Sequence, residues 1–363
     1  MERFLKLFLC RLHTLWPALA AETDCQAASL SFWQRLECLI FPPINVPARS
    51  LTLRDYLVFA LPGILISSIV GMWIVPEGLM GYDWRHYFSL GQRTYGTSYY
   101  PPWIILVAYL GWPVLVGLTL SGLALALYQR RSTPIAAVSA CLTFPVFWVL
   151  FLGQVDGVAL FGLTGLPWLI PLATIKPQVS YLACLANKRY FWALIVWLAI
   201  SIAIWGLWPL DILSIAEFSA WQQPHDIHLW PWSLPIVLVM LWLSRGDVDM
   251  LMLAGTFAMP CLHPYHYLLV VPALARVGQG AAVLTSAISW LPVLSNWYGD
   301  GCWYLAHLFP LILWGSLFIQ EMALCWQLAC HCGTQSLHAA ESTWMINRYA
   351  KWGHNGTMIL DGF

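Results

Sequence analysis

The sequence predicts an all-α, polytopic membrane protein, and three observations carry that expectation. Of 363 residues, 60% are hydrophobic and only 9% charged, with a mean hydropathy of +0.68. A soluble domain carries about 25% charged residues, so this chain lacks the polar surface to cover a globule of its size. Apolar runs of roughly 17–25 residues, the length that crosses a bilayer, recur from Tyr56 onward. Finally, Lys and Arg are distributed with a strong side bias along those runs.

Taken in order, residues 1–50 form a first segment. Leu5, Phe8, Leu12, Leu15 and Trp16 recur at helical spacing opposite Arg3, Lys6 and Arg11. The basic start and Pro17–Ala21 also resemble a signal peptide, but Arg11 and His13 interrupt its apolar core. An interfacial amphipathic helix on the cytoplasmic side is the favoured reading. A Pro-rich link through Pro42, Pro43 and Pro47 leads to a transmembrane region over 51–326, followed by a polar cytoplasmic tail over 327–363.

Spans are expected near 56–75, 104–128, 134–152, 157–174, 190–208, 231–244, 248–262, 266–276, 281–297 and 303–324, the second beginning as a short interfacial helix. With the N-terminus inside, 15 of the 17 Lys and Arg fall on the cytoplasmic side, among them Arg49, Arg54, Arg130, Arg131, Lys188, Arg189 and Arg276. Orientation follows this bias. Both termini are therefore expected in the cytoplasm of a cell-membrane protein, with the active loops outside.

The two exceptions are Arg85 and Arg93, in the stretch Gly81–Trp103. That loop also holds Asp83, His86 and five tyrosines, more chemistry than a connector needs. It reads as the active-site loop of a membrane enzyme, its arginines suited to an anionic ligand. The other polar clusters fall on the same outer side: Gln154 and Asp156, the loop around His225, Asp226 and His228, and His263 with His266. Convergence of polar groups on one face is what a substrate site requires. A charged residue at membrane depth is functional by default, which singles out Lys176. The span count nevertheless puts Lys176 on the side opposite Asp83 unless the preceding segment dips back. Zero net charge and no basic patch exclude a nucleic-acid partner. The ten cysteines form no disulfide framework, and no metal set is expected.

Three motifs in order carry a resemblance: Asp83 followed by aromatics and Tyr100-Pro-Pro-Trp103, then Gly153-Gln154-Val155-Asp156-Gly157, then Lys176-Pro177-Gln178. Over roughly residues 55–275 the chain resembles the polyprenyl-phosphate-sugar-dependent glycosyltransferases of the GT-C fold, in particular glycosyltransferase family 87, mostly bacterial mannosyltransferases. The resemblance implies a multi-pass enzyme moving a hexose, mannose first, from a polyprenyl-phosphate donor to a glycolipid or glycan acceptor. No cofactor is implied beyond that lipid-linked donor; the partners are donor, acceptor and membrane lipids. It implies Asp83 as general base, with Arg85, Arg93, His86 and Lys176 at the donor phosphate. Gln154, Asp156, Gln178, His263, His266, Tyr100 and Trp103 are implied at sugar or acceptor. A lipid or sugar transporter, or a non-catalytic scaffold subunit, are the competing readings; a transporter should show paired halves, and none is legible.

Overall fold

A computed structural model describes residues 49–332 apart from 75, 89–99, 166, 187, 211–225 and 245–246. The N-terminal segment, Arg93, Trp221, His225 and the tail beyond Cys332 lie outside the described residues. The chain is all-helical, with no strand among the described residues. It divides into two compact units, residues 41–316 and a second holding 1–40 with 317–363. Of the second unit only the helical stretch to Cys332 is described. All that follows concerns the first.

Four helices are long and apolar enough to cross a membrane: Leu53–Gly71, Trp112–Gln129, Lys188–Trp205 and Asp300–Ala323. A fifth span is available if Pro134–Cys141 and Phe144–Leu152, bent by 47°, count as one. This is a helical membrane protein by composition and helix length. The remaining apolar runs are built from shorter pieces.

Helix α1 (Leu53–Gly71) starts where Thr52 and Asp55 form a capping box, Thr52 N donating to Asp55 Oδ2 at 2.7 Å. Only 11% of it is buried, against 56% of α2 (Trp112–Gln129), so α1 lies at the margin and α2 at the centre. Ser121 Oγ of α2 donates to the Phe59 carbonyl of α1 at 3.1 Å, the small-residue contact typical of membrane helices. Before α2, as expected, come short interfacial turns at Pro102–Ile104 and Ile105–Ala108. Thr133 caps α3 (Pro134–Cys141), and α4 (Phe144–Leu152) follows and ends at Gly153.

The expected single span over 157–174 is corrected by the structure. Helix α5 (Asp156–Gly162) has seven residues, about 10 Å of rise. The chain then turns and comes back through a 3-10 turn at Pro167–Leu169 and α6 (Ile170–Ala173). The limbs touch because residue 162 is Gly: a Cβ there would lie 2.2 Å from Ala173 N. The tip is tied to the far end of the bundle, where Thr164 Oγ1 donates to the Tyr56 hydroxyl at 2.9 Å and Gly165 N to the Tyr190 hydroxyl at 2.6 Å. A hydrophobicity window averages the two limbs into one span. The hairpin returns Lys176 to the level at which α5 began, so its expected separation from Asp83 does not hold. Helices α7 (Pro177–Ala186) and α8 (Lys188–Trp205) then continue the chain.

After α9 (Leu234–Leu243) and α10 (Val248–Thr256), the expected span 266–276 is a 3-10 helix over Pro264–Arg276. Its start carries His266, and its end carries Arg276. At that end Arg276 bonds Asp247 (2.6 and 2.7 Å) and Asp249 (3.1 Å), while Arg130, beyond α2, meets Asp249 at 2.5 Å. Two arginines and two aspartates thus clamp α2, α10 and the 3-10 helix together. Arg49 lies over the Tyr128 ring near this same end of α2, so part of the basic bias in the sequence gathers in one place.

Candidate active site

At the opposite end, two local devices bring the first loop onto the end of α4. Gly81 N donates to the Phe151 carbonyl at 2.6 Å, and Trp112 Nε1 to the Leu150 carbonyl at 3.3 Å. Gly153 adopts φ 74°, a left-handed C-cap that favours glycine. A Cβ there would also meet Trp84 Cβ and Trp112 Cδ1 at 2.8 Å. The tight end of α4 therefore lays Gln154 against the loop turn that carries Asp83.

There the four polar groups of the sequence reading join in a line. The Gln154 side-chain amide donates to Asp83 Oδ2. Gln154 Oε1 accepts from Lys176 Nζ at 3.3 Å, and Lys176 Nζ donates to Asp156 Oδ2 at 2.7 Å. The Lys176 and Asp156 side chains are 2% and 0% exposed, and Asp83 and Gln154 are also buried. Burial pushes the Asp83 carboxyl up to about 6, against the opposing pull of the Gln154 hydrogen bond and the Lys176 charge. Buried carboxylates and one buried ammonium, linked by a carboxamide, can exchange a proton and hold a charged or hydroxylated ligand.

The rest of the predicted set divides. Tyr100 comes to the cluster, its ring centroid 6.0 Å from Lys176 Nζ. His263 and His266 flank Tyr265, whose ring lies 4.6 Å from Lys176 Nζ. Tyr265 escaped the sequence reading; its place between the two histidines was the only signal. Gln178 stands half-buried in the first turn of α7. Three residues are engaged elsewhere. Arg85 donates to the Gly78 carbonyl, and His86 Nδ1 lies 2.8 Å from the Tyr82 carbonyl with its ring stacked on Tyr82. Trp103 is only 3% exposed, gives its indole N–H to the Pro171 carbonyl, and packs against Trp197, Trp205 and Trp208. That setting makes Trp103 an anchor of the interfacial turns.

Asp226 pairs with His228 at 3.1 Å and accepts from Leu262 N, closing an ordered loop. No group of three metal-binding side chains is found among the described residues. No protein-family model, curated protein or solved structure matches this chain.

Proposed function

We propose that this protein is a GT-C-like membrane glycosyltransferase that moves a hexose from a polyprenyl-phosphate donor to a hydroxyl of a glycolipid or glycan acceptor. The reading places the Asp83 end of the bundle on the outer face and the Arg130–Arg276 end in the cytoplasm, in a multi-pass arrangement for which about ten spans are the expectation. The observation that carries it is the buried line Asp83–Gln154–Lys176–Asp156. A general base works best with a pKa near the operating pH, and the Asp83 carboxyl at about 6 satisfies that.

In the reaction, the acceptor oxygen attacks the anomeric carbon and its proton passes to Asp83. The bond from that carbon to the phosphate oxygen breaks, and polyprenyl phosphate leaves with the electron pair. A single displacement inverts the anomeric centre. Positive charge at the departing phosphate lowers the barrier; Lys176 supplies it, kept ionised by Asp156. Two carboxylates against one ammonium leave the cluster net negative once Asp83 ionises, so the loop arginines Arg85 and Arg93 supply further charge to the donor. Gln154 orients the base, and no cofactor enters.

A second reading has support from the same burial. An ion pair beside a titrating carboxylate at membrane depth also suits a proton-coupled transporter for a lipid or sugar. One experiment separates them: purified wild type and Asp83→Asn are given radiolabelled polyprenyl-phosphate mannose and a membrane lipid extract. Label entering a glycolipid with wild type alone supports transfer and the base. Equal transfer by both removes Asp83 from that role. No transfer across several sugars and acceptors leaves the transporter reading in front.

A further inference from the structure

We propose that His266 is a fixed hydrogen-bond donor to a sugar-ring oxygen, completed on the acceptor side by Asp156, so that the buried end of the site reads neutral hydroxyls rather than the phosphate. This rests on the glycosyl-transfer reading and specifies which part of the donor is read there. The argument starts from His263 N, which donates to His266 Nδ1 at 3.1 Å. A ring nitrogen that accepts a hydrogen bond carries no proton, so the neutral imidazole keeps its proton on Nε2. The backbone bond from His266 N to the His263 carbonyl, 2.9 Å, holds the ring's base in place.

That Nε2–H is buried without a hydrogen-bond partner, on a residue only 2% exposed. Burying a donor unmatched costs about 1–3 kcal/mol, and native structures seldom keep one without a use for it. The neighbourhood shows the matching deficit. Tyr265 stands edge-on to His266 at 4.6 Å, and Lys176 Nζ lies on the Tyr265 ring at 4.6 Å. Lys176 takes up Asp156 Oδ2, while Asp156 Oδ1, also buried, has no partner from another residue. One donor and one acceptor are thus left over around the same lysine.

A hydroxyl group both accepts and donates, so a polyol ring answers both groups at once. A phosphate would accept from His266 but would be repelled by Asp156. The phosphate of the donor therefore belongs nearer the loop arginines and the open side of Lys176, and the hexose ring against His266. His266 contacts substrate in this arrangement without taking part in bond making or breaking.

The test compares the full chain with His266→Asn and His266→Gln, measuring Kd and KM for polyprenyl-phosphate mannose and for monodeoxy donors lacking each ring hydroxyl in turn. Asparagine keeps an acceptor for the His263 N–H and deletes the outer donor; glutamine restores an N–H close to the Nε2 position. We expect His266→Asn to weaken binding roughly ten- to hundredfold, in KM rather than kcat, at an unchanged thermal midpoint. Glutamine should recover part of it. One monodeoxy donor should lose the same factor in wild type and nothing further in His266→Asn. Should the asparagine variant fail to fold, the same scan in His266→Gln, with its penalty reduced, carries the comparison. Deoxy penalties identical in wild type and variant overturn the inference while leaving glycosyl transfer standing. A wild type that binds no lipid-linked hexose overturns both.

Discussion

Lys176 and Asp156, twenty residues apart in the chain, form an ion pair of 2.7 Å whose side chains are almost wholly shielded from solvent. Removing one partner of such a pair strands a charge and costs about 3–5 kcal/mol, whereas an apolar replacement of both is close to neutral. Lys176→Met and Asp156→Asn should each lower the midpoint of thermal unfolding in detergent markedly. The double variant should recover most of that loss while remaining inactive. A double variant no more stable than the worse single variant would mean that the two residues do not act as a pair.

Asp83 gives a dependence on pH with a definite sign. Its folded pKa is raised from 3.8 to about 6, so the folded state binds the proton more tightly than the unfolded one. Stability then falls as pH rises between those values, by about 3 kcal/mol at most. Asp83→Asn keeps an oxygen for Gln154 and removes the buried charge. It should therefore unfold a few degrees higher than wild type at about pH 7.5, lose that advantage near pH 5, and be inactive at both. Thermal scans at the two pH values check this; a variant less stable at the higher pH would refute it.

Gln154 adjusts the same carboxyl. Its hydrogen bond lowers the Asp83 pKa against the effect of burial. Gln154→Leu should shift the acid limb of the rate profile to higher pH, because the base would hold its proton longer. Its maximal rate at high pH should fall less than that of Asp83→Asn. An unmoved limb would show that the limb reports some other group.

The local chemistry of the site was legible in the sequence. Asp83, Gln154, Asp156 and Lys176 stood out as polar residues in apolar surroundings, and the structure brings all four together. What was not legible was the path of the chain between them. Residues 157–174 have the length and apolarity of a span, yet Gly162 lets the two limbs pack as a hairpin. Hydropathy records which residues avoid water, and both limbs of a buried hairpin do so equally. Trp103 failed for a related reason: an aromatic near a polar loop looks like a stacking platform, and only its three tryptophan neighbours and the Pro171 carbonyl mark it as an anchor.

Gly153 offers a direct test of how the backbone builds the site. At φ 74° a side chain costs about 1–2 kcal/mol. A Cβ would also press on Trp84 and Trp112 at 2.8 Å, which adds to the cost. Gly153→Ala should therefore be destabilised by at least about 2 kcal/mol. It should also displace Gln154 and so reproduce the shifted pH limb of Gln154→Leu. The contrast is Arg276→Gln at the other end of the bundle, which breaks the bonds to Asp247 and Asp249. That change should destabilise by a comparable amount and leave the pH limb where it is. Loss of stability with an unmoved limb in both variants would mean that Gly153 shapes the fold without tuning the base.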